Sequence, residues 1–220
     1  MNLSLTARRH EPFSRAELLA LLLLALSSAV LVAIAWQGDE ALIRLLTSEA
    51  GPIEWVSART WFVIAAIVLW RGPRGGTALA LAGLCLMFGL RELDLHKVVA
   101  DTSFLKRGFY RDAAIAPGDK WLGGVLAAGM VGLVLWGLVL GARAFWRRRL
   151  HRTGWGRIVL GAAVILVLSK LLDRIPNTLV VDYGIALETH VKALVSLHEE
   201  WLECYVPLVL AAAAWQRPPA

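Results

Sequence analysis

Cysteine is nearly absent: Cys85 and Cys204 are the only two, and both sit inside apolar runs. That leaves no basis for a disulfide framework or a thiolate zinc site. Charge is scarce as well. With 18% charged and 58% hydrophobic residues over 220 positions, the chain lacks the polar surface of a soluble domain. There is no convincing internal repeat and no stretch that reads as a separate soluble domain. The net charge of +6 is not the footprint of a nucleic-acid binder, because the basic residues cluster between apolar segments. That distribution is a topology signal.

What the chain does have is long apolar runs. A membrane helix needs about 20 mainly apolar residues, fewer where flanking side chains snorkel. Six segments qualify: Ala16–Trp36, Ile53–Trp70, Thr77–His96, Trp121–Ala142, Gly156–Arg174 and Leu187–Trp215. The expectation is an all-α polytopic membrane protein, one integral domain over residues 1–220 built as a bundle of six transmembrane helices. The first run exceeds the apolar region of a signal peptide and reads as an uncleaved span. Arg8, Arg9, Arg15, Arg71, Arg74, the series Arg143, Arg147, Arg148, Arg149, Arg152, Arg157, and Arg217 all fall on one side of such a bundle. That side, with both termini, is expected to be cytoplasmic, and the membrane a bacterial-type inner membrane. Asp39, Glu40, Glu49, Glu54 and Asp182 then face outward. Trp36, Trp55, Trp70, Trp121, Trp146, Trp155 and Trp215 lie near span ends, where amphipathic rings prefer to sit. Gly123, Gly124, Gly129 and Gly132 read as close helix packing.

The third span ends in RELDLHK, five ionisable groups in seven residues after an apolar run. Three other spans carry charge at a matching depth. At about 1.5 Å of rise per residue, Glu92, Asp173, Glu199, Glu200, Glu203 and Arg59 all lie roughly 17–25 Å above their cytoplasmic ends. A charge in hydrocarbon is costly, so these side chains should face one another or water. Arg59, Arg91, Asp94, Lys170, Arg174 and Lys192 would supply ion-pair support. Glu92, Asp173, Glu200 and Glu203 are the candidate catalytic acids and bases, since desolvated carboxylates suit proton transfer.

Glu92 and His96 are four residues apart, a helical spacing that lets both bind one cation. Asp173, Glu199, Glu200 and Glu203 would add oxygen ligands from facing helices, so a divalent metal ion of unspecified identity is a candidate cofactor. The HEEWLECY stretch departs from the Glu-x-x-His element of di-iron bundles. The one basic outer segment, Lys97–Lys120, contains SFLKRGFYRD. There Phe104, Leu105, Phe109 and Tyr110 would dip into the interface, and Lys97, Lys106, Arg107 and Arg111 would hold a substrate headgroup. The leading functional reading is a metal-assisted membrane hydrolase or transferase acting on a lipid or lipid-linked substrate, with membrane lipid as partner and no nucleic acid. A small proton- or cation-coupled transporter, or a non-catalytic assembly subunit with a structural ion-pair network, shares the same features.

Overall fold

The computed structural model describes residues 14–48, 51–72, 75–100 and 102–215. Arg8, Arg9, Glu49, Arg74 and Arg217, which entered the topology reading, lie outside that set. Among the described residues the chain is all-helical, with no strand. The α-helices are α1 (Arg15–Gln37), α2 (Glu40–Leu46), α3 (Pro52–Arg71), α4 (Gly76–Glu92), α5 (Arg107–Arg111), α6 (Pro117–Arg147), α7 (Gly154–Tyr183) and α8 (Thr189–Trp215). Three of them, α1, α3 and α6, are long and apolar enough to cross a membrane.

Local chemistry sets the helix ends. Ser14 caps α1 in a reciprocal box with Glu17, and Gly38 ends it in a left-handed conformation at φ 70°. Asp39 caps α2 by accepting from the Leu42 amide at 3.0 Å. Proline opens α3 and α6, where its missing N–H costs nothing. The third apolar run stops being helical earlier than its pattern predicts. After Glu92 the chain turns through Asp94, at φ 54°, into a short 3-10 turn over Leu95–Lys97. Aspartate tolerates that left-handed geometry better than most residues. The fifth run extends further than expected: Pro176 sits inside α7, and the helix continues to the Gly184 cap at φ 65°.

Helix packing follows the order α6, α4, α3, α8, α7, with α1 laid against α8 and α7. Trp61, Ile64 and Ala65 of α3 meet Ala82 and Cys85 of α4, Ala162 of α7 and Val206 of α8 in one core. Tyr205, 2% exposed, donates to the Ala20 carbonyl of α1 at 2.6 Å. A buried hydroxyl left unpaired would be costly, so this bond fixes how α1 lies on α8. α6 touches the bundle by a narrow seam and buries only Gly123 and Gly137. A Cβ on Gly137 would stand 2.7 Å from the Ala80 carbonyl oxygen, so α4 and α6 approach backbone to backbone there. Gly83 and Gly141 extend that seam against Leu133 and Leu81. The glycines expected to pack helices divide differently. Gly123 instead receives Phe104 and Phe109 of the α4–α6 connection, and Gly124 meets only Tyr110 Cε1 at 3.9 Å. Gly129 and Gly132 have open space where a Cβ would be, and Gly137 carries the helix–helix contact.

Two ends of the bundle are defined by cross-helix contacts. At one, Arg157 of α7 holds Glu17 of α1, Trp155 Nε1 donates to the Ala213 carbonyl at 2.6 Å, and Arg71 donates to the Trp215 carbonyl at 3.1 Å. Arg143, Arg147, Arg148, Arg149 and Arg152 are exposed along the α6–α7 connection that leads to it. At the other, Trp36 at the end of α1 meets His190 at the start of α8, ring centroids 5.9 Å apart.

Candidate functional site

The acidic residues of α8 sit on the turn above the shared core. Glu203 is one residue from buried Cys204 and three from Val206, so its side chain leaves the apolar layer toward α4 and α7. Lys170 of α7 contacts its Oε1, and Arg91 Nη2 of α4 approaches its Oε2 at 3.9 Å. Arg91 Nη1 is also 3.7 Å from Glu92 Oε1. One carboxylate thus gathers a cation from each of two helices, and a second carboxylate stands beside it.

Burial separates floor from rim. The side chains of Glu92 and Glu203 are 11% and 13% exposed, whereas those of Arg91 and Lys170 are each 39% exposed. Glu92, Glu199 and Glu200 all lie within electrostatic reach of Glu203. Asp173, exposed on the next turn of α7, bears on Glu199. Four carboxylates of α4 and α8 therefore share a partly buried space in which Arg91 and Lys170 are the opposing charges. Such an excess of acid in a desolvated setting is relieved by holding protons or by admitting a cationic or hydrogen-bonding guest.

Two contributors escaped the sequence reading. Glu54 of α3, assigned only to an outward loop, bears on Glu200, and Ser57 of the same helix lies against Glu92. Their signal is helical spacing: 54, 57, 61 and 64 follow the face on which Ser57, Trp61 and Ile64 are buried.

Other expected members lie elsewhere. Arg59 does not enter the cluster; it is exposed, its guanidinium 5.1 Å from the centroid of the Trp55 ring. A cation over an aromatic face at the interface is a better resting place than a buried slot without a dedicated acid. Arg174 and Lys192 are exposed. Lys97 bonds Asp94 at 2.9 Å, within its own turn. Lys106, Arg107 and Arg111 are exposed on and beside α5.

The expected pairing of Glu92 with His96 is undone by the helix ending at Glu92. His96 Nε2 instead faces Asp94 Oδ1 at 3.7 Å, and its buried Nδ1 has no hydrogen-bond partner. Burial holds this imidazole below its usual pKa, with Asp94 acting in the opposite direction. Among the described residues, no three His, Cys, Asp or Glu side chains gather in a way that would hold a metal ion. Ser169 is buried and donates to its own helix at the Leu166 carbonyl, 2.9 Å away.

Comparison with protein-family models, curated proteins and solved structures finds no match for this chain. The functional argument therefore rests on this geometry.

Proposed function

We propose that the chain is a multi-pass inner-membrane protein of six spans, both termini cytoplasmic, that performs acid–base chemistry on a lipid or lipid-linked substrate taken from the outer leaflet. The single observation that carries the chemical part is the convergence of half-exposed Arg91 and Lys170 on partly buried Glu203 beside partly buried Glu92. Cations at a rim suit an anionic group such as a phosphate, and carboxylates on the floor suit proton transfer. The helices that bring the two cations, α4 and α7, are not among the pairs that pack along their lengths. A substrate dissolved in the bilayer has its approach through that flank.

Three features support the topology. α8 runs antiparallel to α1, Tyr205 meeting Ala20 and His190 meeting Trp36, and α4, with 17 residues, spans roughly 26 Å. The exposed arginines between α6 and α7 lead to the end opposite the acidic cluster. The apolar core of Trp61, Ile64, Cys85 and Val206 lies between the cluster and that arginine-rich end. An apolar layer at that level favours a one-sided reaction site over a transmembrane relay. A divalent cation belongs to this proposal only if Glu199 or Glu200 rotates toward Glu203 to complete its ligands.

The test is a comparison of membrane lipids from cells carrying the wild-type chain, no chain, and Glu203→Gln or Glu92→Gln at equal expression. The expected result is that both variants reproduce the lipid profile of cells lacking the protein. A profile unchanged by removing the protein defeats the lipid reading. Proton uptake by proteoliposomes, lost in the same variants, would then favour the transporter.

A further inference from the structure

The segment between α4 and α6 was expected to lay its aromatic residues into the membrane surface, and half of it does the opposite. Phe104 and Phe109 are 1% and 0% exposed. They occupy a notch in α6 made by Gly123, where a Cβ would stand 2.7 Å from the Phe109 ring and 3.0 Å from Phe104 Cβ. Three bonds fix the loop's path: the Phe104 amide to the His96 carbonyl at 2.9 Å, the Tyr110 hydroxyl to the Phe104 carbonyl at 2.8 Å, and the Leu105 amide to Ser103 Oγ at 3.2 Å. α5 is therefore a short platform bolted to α6.

Its depth is set independently. Gly123 lies two residues inside Trp121, which is 77% exposed at the head of α6. An exposed tryptophan at a span end marks the headgroup region. The platform's outward surface combines Lys106, Arg107 and Arg111, all exposed, with Leu105 and Tyr110, 43% and 39% exposed. Asp112 is drawn off by the Ala114 amide at 2.9 Å, and Asp119 lies in the first turn of α6. Basic side chains set among apolar and aromatic ones at headgroup depth match an anionic headgroup above an acyl chain.

We infer that α5 and its flanks are a binding site for an anionic phospholipid of the outer leaflet, separate from the Arg91–Glu203–Lys170 cluster. Lys106, Arg107 and Arg111 meet the phosphate, while Leu105 and Tyr110 rest against the upper acyl chain. A rigid platform holds the three charges in place before the lipid arrives, so little ordering is required on binding.

Full-length protein in nanodiscs containing phosphatidylglycerol and phosphatidylcholine tests this, with retained lipid counted by native mass spectrometry. The triple variant Lys106→Gln, Arg107→Gln, Arg111→Gln should retain fewer phosphatidylglycerol molecules and weaken affinity for that lipid by more than about tenfold. Because the arginines near α7 also attract anionic lipid, Arg148→Gln with Arg149→Gln serves as comparison, and its loss should add to that of the triple variant. Inorganic phosphate should not compete, which distinguishes a lipid from a free anion. Equal phosphatidylglycerol retention by the wild type and the folded triple variant overturns the inference. So does competition by inorganic phosphate. The triple variant should lose the same phosphatidylglycerol in a Glu203→Gln background, so this result stands or falls apart from the proposed chemistry.

Discussion

Arg157 on α7 clasps Glu17 on α1 across 140 residues of sequence, with Nε 2.6 Å from Oε1 and Nη2 3.0 Å from Oε2. Glu17 is 5% exposed and also accepts from the Ser14 amide at 2.7 Å. Breaking one side of such a pair strands the other charge. Arg157→Leu should lower stability by about 3 kcal/mol or more, read as thermal unfolding in detergent. The double variant Glu17→Leu, Arg157→Leu should recover most of that loss. Equal loss in both would mean that Arg157 acts through something other than Glu17.

The notch in α6 yields a matched pair of glycine substitutions. Gly123→Ala pushes a methyl into the Phe109 ring and should cost about 1–3 kcal/mol by overpacking. Gly124→Ala meets only Tyr110 Cε1 at 3.9 Å and should be neutral or slightly stabilising through helix propensity. Trypsin susceptibility at Lys106 and Arg107 reports the difference, rising in the first variant alone. Faster cleavage of both, or of neither, would show that Gly123 does not seat the platform.

Orientation is open to cysteine labelling in intact cells. Cys85 and Cys204 are buried, so the wild-type chain should be unreactive and serve as background. Ala113→Cys, at an exposed position after α5, should react with an impermeant thiol reagent. Arg148→Cys, exposed beyond α6, should react only after the membrane is opened. The reverse pattern would place the acidic cluster toward the cytoplasm and exclude an outer-leaflet substrate.

Much of the helical layout was legible because long apolar runs admit few alternatives, and the observed helices overlap all six expected spans. That Glu92 and Glu203 lie at one level was legible too, since rise per residue is fixed, and both approach Arg91. What failed depended on a single backbone turn or on a choice between two acceptable environments. A periodic pattern continues through Asp94, but the left-handed turn there separates Glu92 from His96. Arg59 reads the same whether it enters a polar cluster or lies over Trp55. Arg157 read only as one of the cytoplasmic-side arginines, because nothing local records its partner Glu17 on another helix. Small residues were ambiguous for a similar reason: Gly129 and Gly137 differ only in which face α4 covers.

The central claim is that the Arg91–Glu203–Lys170 cluster does chemistry, and paired replacement tests it most directly. Lys170→Met alone leaves Glu203 short of a partner, although its half-exposed position limits the loss to about 1–3 kcal/mol. Lys170→Met with Glu203→Leu removes both charges at similar volume and should restore the unfolding temperature. Thermal stability and the cellular lipid profile are measured on the same set of strains. Recovered stability with the lipid profile of cells lacking the protein is the predicted result. Recovery of both together would contradict the account and make the cluster a packing device.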